Sequence, residues 1–186
     1  MNEKYFNYKK INISDIHYNG TTKDICYNDK ELYIIGSNML LFNLIKNNSY
    51  SEPYTIDLVF RNDDDFLSFV KKIDNYIISI LKKRGYNENK FVPSLRKSVE
   101  YPNENLLRIL STINCNIYDW DGNNYNCDKL DFYNSESEIE CKPLFKVSLK
   151  TSGFFKYIEW ELIQLKILNE PVLLVKCITD DIDEDF

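Results

Sequence analysis

The sequence predicts a mainly β protein, a small antiparallel barrel with one long α-helix inserted among its strands. Three observations lead there. Short apolar or alternating stretches recur along the chain, a single segment carries helical periodicity, and strands do not alternate with helices as a parallel sheet requires. Aromatic residues supply 15% of the 186 positions, enough large side chains for a real core in one domain.

Taken in order, residues 5–16 alternate, with Tyr5, Asn7, Lys9, Ile11 and Ile13 on one face, and read as a first strand. Residues 31–35 and 39–45 are compact apolar runs parted by Gly36, Ser37 and Asn38, a turn signal. Residues 54–60 form the clearest early strand, with Tyr54, Ile56, Leu58 and Phe60 on one face and Thr55 and Asp57 on the other. The helix follows over 63–84. Asn62 or Asp63 caps it, Asp64 and Asp65 suit its first turn, and Lys82, Lys83 and Arg84 suit its last before Gly85. Phe66, Phe69, Val70, Ile73, Ile77, Ile80 and Leu81 recur at steps of three and four, one stripe that must pack on a sheet.

A polar connection, 86–105, leads to strands at 106–113 and 116–120, an Asp121-Gly122 hairpin turn and a return at 125–128. Residues 134–140 read as an acidic loop. Two closing strands, 144–149 and 157–168, flank the Thr151-Ser152-Gly153 turn, and the second is partly apolar on both faces, as in a strand covered on two sides. Residues 172–178 extend the sheet or pack beside it. The composite admits an OB-fold.

The chemistry-bearing residues exclude several classes. Cys26, Cys115, Cys127, Cys141 and Cys177 are odd in number and widely spaced, without a Cys-x-x-Cys pair, and His17 is the sole histidine. That argues against zinc and against a disulfide framework, and for reduced thiols in an intracellular compartment. Asp63, Asp64 and Asp65 are explained by a helix start, and Asp119 and Asp121 by a hairpin turn. No glycine-rich phosphate loop or Ser/His/Asp arrangement is visible, so neither an enzyme nor a cofactor or metal is expected. No run approaches the roughly 18 apolar residues of a membrane span. A soluble intracellular protein is the expectation.

Charge is segregated. The formal net charge is −6, and Asp180, Asp181, Asp183, Glu184 and Asp185 account for all but one of those negatives. The expected organisation is therefore a folded domain over 1–178 and an acidic tail over 179–186 that ends in Phe186 and cannot join a core. Between Phe66 and Lys97 the cations Lys71, Lys72, Lys82, Lys83, Arg84, Lys90, Arg96 and Lys97 face only Asp74 and Glu88. A second group, Lys142, Lys146, Lys150 and Lys156, is interleaved with Phe154, Phe155, Tyr157 and Trp160. Cations beside rings suit single-stranded nucleic acid, which offers both phosphates and unstacked base faces. The plain alternative is lysines on a solvated face and rings in a core. Trp120, beside a turn, is the ring most expected to be exposed. Acids closing on a terminal Phe suit a basic-rimmed partner pocket.

Three features together carry a resemblance: the terminal Asp-Asp-Ile-Asp-Glu-Asp-Phe, the helix at 63–84, and the closing pattern Leu-Phe-Lys-Val-Ser-Leu-Lys, turn, Ile-Glu-Trp-Glu-Leu-Ile-Gln-Leu-Lys-Ile. With these the chain resembles, over about its last two thirds, the single-stranded DNA-binding proteins of certain phages and large DNA viruses. Those are OB-fold proteins whose acidic tail ends in an aromatic. The Asn-, Ile-, Lys- and Tyr-rich, Ala-free composition is compatible with an A/T-rich viral genome. The resemblance implies a protein that coats and protects exposed strands in replication, recombination and repair. It also implies a tail that recruits a polymerase or helicase and competes with DNA for a basic groove. A homodimer stays open, and the expected place is the host cytoplasm or a viral replication site.

The groove is expected between the sheet and the basic connection after the helix. Lys82, Lys83, Arg84, Lys90, Arg96, Lys97, Arg108, Lys150 and Lys156 are the phosphate candidates. Tyr118, Trp120, Phe154, Phe155 and Tyr157 are the stacking candidates. Asp180, Asp181, Asp183, Glu184, Asp185 and Phe186 form the partner-binding tail. The rival reading is a viral structural or protein-interaction module that binds no nucleic acid.

Overall fold

The computed structural model describes residues 5–20, 24–48, 54–60, 64–97, 105–126, 137–169 and 172–173. In chain order the strands are β1 (Phe6–Asn7), β2 (Ile16–Asn19), β3 (Asp24–Tyr27), β4 (Lys30–Ile35), β5 (Met39–Lys46), β6 (Tyr54–Phe60), β7 (Phe91–Val92), β8 (Leu95–Lys97), β9 (Asn105–Tyr118), β10 (Asn124–Asn126), β11 (Ser137–Ser152), β12 (Phe155–Ile167) and β13 (Val172–Leu173). Helix α1 (Asp64–Lys83) lies between β6 and β7.

Five strands close into a ring, β5–β6–β9–β12–β11 and back to β5. An odd ring cannot alternate in direction all the way round, so at least one neighbouring pair must be parallel. That pair is β9 with β12, and the other four are antiparallel. The predicted barrel is therefore present, and its one parallel seam is what closure demands. In order along the chain the ring strands pair first–second–third–fifth–fourth, and the barrel is OB-fold-like.

One edge of β11 is shared by two successive strands. Ile139 to Cys141 pair with Leu41 to Met39 of β5, and Leu144 to Val147 pair with Ile35 to Leu32 of β4. Gly36 sits where the chain passes between the two, its N–H donating to Pro143 O at 2.9 Å. A Cβ there would lie 3.0 Å from Pro143 Cγ and 3.1 Å from the Phe145 ring, so a larger residue must push those side chains of β11 aside by a few tenths of an ångström. Beyond β4, the strands β1, β2 and β3 extend the sheet off the barrel.

The core follows the alternation. Ile56 and Leu58, Leu107 and Ile109, Phe145 and Val147, and Ile158, Trp160 and Leu162 are buried. The stripe of α1 lands on the same core, with Phe66, Phe69, Val70, Ile73, Ile77 and Leu81 all buried. Each such burial stabilises the fold by about 1.5–3 kcal/mol over exposure. The Phe66 ring stacks 6.3 Å from Phe145 and meets Trp160 edge-on at 6.2 Å, which fixes the helix against β11 and β12. The helix stops as predicted, in a Schellman arrangement. Gly85 takes φ +78°, and the Tyr86 and Gly85 N–H groups donate to Leu81 O and Lys82 O.

Several elements differ from the sequence reading. Residues 5–16 do not form one strand, because the Asn7 and Asn12 side chains accept from the N–H two residues on and turn the chain into two 3₁₀ segments. Tyr8 is thereby packed against Phe66 at 4.8 Å. The acidic loop at 134–140 gives way to strand from Ser137, where Ile139 is fully buried opposite Leu41. The two strands at 106–113 and 116–120 are one strand, β9, with a bulge: Ser111 faces Leu162 and Asn116 faces Gln164, so β9 spends more residues than β12 on that interval. The polar connection contains β7 and β8. Cys26, Cys115 and Cys141 are buried, and burial pushes the Cys141 thiol up. Cys127 and Cys177 lie outside the described residues.

One buried polar chain ties helix to barrel. Asp74 accepts from Ser94 Oγ at 2.6 Å and from Ser94 N at 2.9 Å, and Ser94 Oγ accepts from Trp160 Nε1 at 3.0 Å. Burial raises the Asp74 pKa to about 6 against the lowering effect of its two hydrogen bonds. The folded value lies above the unfolded one, so the fold binds this proton more tightly than the unfolded chain does. The resulting stability is complete below about pH 4 and is lost as pH rises through about 6. Urea melts of the wild type and Asp74→Asn should show the wild type losing up to about 3 kcal/mol relative to the variant between pH 4 and 8. A constant difference would overturn this assignment.

Candidate nucleic-acid interface

The parallel seam does not run the full length of its strands. Leu110 and Ser111 of β9 face Glu161 and Leu162 of β12, but before those pairs the strands part. Leu107 turns to Leu95 of β8, while Lys156 and Tyr157 turn to Phe91 and Val92 of β7. Pro93 and Ser94 cross the resulting wedge. Proline has no N–H to give a ladder, which separates β7 from β8, and Ser94 is held from below by Asp74. The mouth of the wedge is a groove of about 540 Å³ on the outer face of the barrel, with Thr55, Arg96, Arg108, Phe155, Tyr157 and Glu159 around it. Ser94 and Trp160 line its floor.

Four of the sequence-predicted residues therefore converge: Arg96, Arg108, Phe155 and Tyr157. Phe155 is 50% exposed, a ring with a free face at the mouth. Arg108 is opposite Asp57 in the β6–β9 register and grips it twice, Nε to Oδ1 at 2.7 Å and Nη2 to Oδ2 at 2.6 Å. The bond to Asp57 outweighs burial and holds the guanidinium proton more firmly than usual. Arg96 makes no ion pair among the described residues. Lys150, across β11 from Tyr157, pairs diagonally with Glu159 at 3.1 Å. Burial alone would lower the Lys150 pKa, but Glu159 outweighs it and raises it.

A second cluster sits at the tip of the β11–β12 hairpin, where Gly153 takes φ +58°. Phe154 is 78% exposed, and Lys90 Nζ lies 5.0 Å from its ring centroid. The Tyr86 hydroxyl lies 2.8 Å from Phe154 O and 3.0 Å from Lys90 O, fastening the connection after the helix to the hairpin. Lys156 Nζ donates to Thr151 Oγ1 at 3.0 Å and lies 5.5 Å from the Tyr86 ring centroid.

The remaining candidates lie elsewhere. Lys82 is paired with Glu88, Lys83 is exposed at the end of α1, and Arg84 lies over the Tyr18 ring of β2 at 5.0 Å. Lys97 is exposed at the end of β8. Tyr118 is opposite Lys166, roughly 30 Å of strand path from Tyr157. Trp120 is 38% exposed beyond it, less than Phe154 and Phe155, so the turn at the β11–β12 tip, not the one at Asp121-Gly122, carries the most exposed rings. Asp119 folds that turn, accepting from Asn123 N and Nδ2 and from the Tyr125 hydroxyl. Asp180, Asp181, Asp183, Glu184, Asp185 and Phe186 lie outside the described residues. Among the described residues no cluster of His, Cys, Asp and Glu is placed to hold a metal ion, and no helix is long and apolar enough to cross a membrane.

Sequence reasoning missed Asp57, Ser94, Glu159 and Tyr86. A signal existed for Glu159: counting outward from the Ser152–Phe155 turn pair puts Ser148 opposite Glu159 and Lys150 diagonal to it. None existed for Ser94, whose role depends on the helix and the barrel meeting.

Comparison with known proteins adds to this geometry. No protein-family model matches the sequence, and a search of curated proteins gives no match. Solved structures do match. The single-stranded DNA-binding protein from bacteriophage Enc34 is similar with a TM-score of 0.54 at 14% identity, over 90% of this chain and 97% of that one. Its C-terminal truncation gives a TM-score of 0.54 at 15% identity, over 86% and 99%. The same phage protein in complex with ssDNA gives 0.52 at 13% identity, over 80% and 93%. At such identities the likeness shows a shared fold.

The groove's structural debt to Arg108 is measurable. Asp57 is 3% exposed, so Arg108→Ala strands a buried carboxylate and should cost about 2 kcal/mol in urea unfolding. Combining it with Asp57→Asn should recover more than half of that loss.

Proposed function

We propose that this protein binds single-stranded DNA, without regard to sequence, through the wedge groove, and coats and protects exposed strands during viral DNA replication, recombination and repair. The observation that carries this reading is the convergence of Phe155, Tyr157, Arg96 and Arg108 on one open groove. OB-folds take oligonucleotides on the face of their second and third strands and at the loops between the first and second and the fourth and fifth. Here the second and third barrel strands are β6 and β9, and the hairpin tip with Phe154 is the connection between the fourth and fifth. The fold shared with a phage protein solved in complex with ssDNA is a further support.

Rings accept any base face, which makes binding tolerant of sequence, and cations near the rings meet the phosphates. Lys90, Phe154 and Lys156 at the tip lengthen the path a strand can follow. The acidic segment 179–186 is proposed as a separate unit. Asp180, Asp181, Asp183, Glu184 and Asp185 compete with DNA for the cations, and Phe186 engages a polymerase or helicase. At the effective concentration of a tethered segment, even weak self-competition lowers apparent DNA affinity. The proposed setting is intracellular, and self-association into a homodimer fits the reading without being required by it.

Titration with oligo(dT), followed by intrinsic fluorescence, tests the reading. Phe155→Ala and Tyr157→Ala should each weaken binding by about 1–3 kcal/mol, and duplex of the same length should bind far more weakly. Removal of 179–186 should tighten oligo(dT) binding. Absence of oligo(dT) binding at about 50 mM salt, where phosphate contacts are strong, would overturn the reading in favour of a protein-interaction module.

A further inference from the structure

The outer face around the groove carries cations that are already matched. Cross-strand register puts Lys146 directly opposite Glu161 and beside Glu31, with which it pairs at 2.6 Å. Lys150 pairs with Glu159 and Arg108 with Asp57. With Arg96 added, four cations face Asp57, Glu31, Glu159 and Glu161. Two of the four lysines that read as a basic strip in the sequence, Lys146 and Lys150, are thus already paired with acids, whereas Lys142 lies opposite Lys166 and Lys156 holds Thr151.

These carboxylates are not equivalent. Asp57 is buried and Arg108 holds it, so it belongs to the fold. Glu31 and Glu161 neighbour Lys146, farther along the hairpin from its tip. Glu159 alone of the glutamates lines the groove, and its partner Lys150 stands across the hairpin from Tyr157. We propose that Glu159 is a resident carboxylate that holds Lys150 in place of a nucleic-acid phosphate, so that it sets the affinity and salt dependence of the groove.

The inference rests on the single-stranded DNA reading and deepens it. A strand stacked on Phe155 and Tyr157 brings a phosphate toward Lys150. The ammonium must then exchange Glu159 for the phosphate, and the displaced carboxylate remains beside a second anion. Little is gained by the exchange, so few counterions are released and binding is carried by the rings. Removing the negative charge alone should convert Lys150 into an effective phosphate contact. Each such contact adds about 0.7 to the slope of log K against log salt for a single strand.

Oligo(dT) titrations from about 50 to 300 mM salt test this on the full chain. Glu159→Gln keeps the shape and should tighten binding about five-fold at low salt, with a slope steeper by about 0.7. Adding Lys150→Met to it should return slope and affinity to near the wild type. Glu159→Asp keeps the charge and should keep the shallow slope. Glu161→Gln makes the same charge change outside the groove and should move neither quantity appreciably. Wild-type binding with Glu159→Gln unchanged overturns the inference alone, as does an equal effect of Glu161→Gln, which would mean bulk charge. No binding by any variant overturns the single-strand reading and the inference with it.

Discussion

Closing a barrel with five strands is the constraint from which the rest of this molecule follows. Direction cannot alternate around an odd ring, and the unavoidable parallel seam falls between β9 and β12. Antiparallel neighbours can zip together outward from a tight turn, but parallel neighbours arrive from separate connections and need not match in length. β9 absorbs the mismatch at one end with a bulge and at the other by parting from β12 altogether. The groove is that parting. It is a consequence of closure, placed on the face that the second and third barrel strands share.

What keeps the wedge open and shaped is polar. A gap between strands leaves backbone groups without a ladder, and burying them unpaired would cost several kcal/mol. Ser94 resolves this by giving its N–H and hydroxyl to Asp74 and accepting from Trp160. Helix, crossing segment and barrel strand are thus joined at one side chain beneath the groove. The helix does more than cover apolar surface, since its buried Asp74 supports the groove floor.

How much of this was legible differs by element for physical reasons. The helix was readable almost to the residue because its stripe, its terminal lysines and its Gly85 stop all act locally. The closing hairpin was readable because a turn fixes register for the residues on either side. Residues 5–16 misled because alternation is blind to an asparagine that bends its own backbone, and 137–140 because one buried Ile139 outweighs the polar residues around it. The groove residues divide the same way. Phe155 and Tyr157 announce themselves as rings near a turn, whereas Arg108 is brought beside them only by the seam of β9 with β12, and Arg96 by β8, which pairs with β9. Lys82, Lys83 and Arg84 looked equivalent to these in charge, yet the end of the helix directs Arg84 to Tyr18.

Charge counting along a sequence has a specific weakness in sheets. On a helix, neighbours three or four apart reveal their own compensation, but on a sheet the compensating group sits on another strand, remote in number. Lys146 and Glu31 are 115 positions apart, and Arg108 and Asp57 are 51 apart. A basic cluster read from the chain therefore overstates the field at the surface whenever the strands beside it carry acids. In this barrel Lys146 and Lys150 of the closing hairpin meet such acids, as Arg108 meets Asp57, while Phe154 and Phe155 stand exposed at the tip and mouth of the groove. The number of lysines along a hairpin is then a poor measure of the charge that a ligand at the groove would meet, because each cation must first be set against the strand beside it.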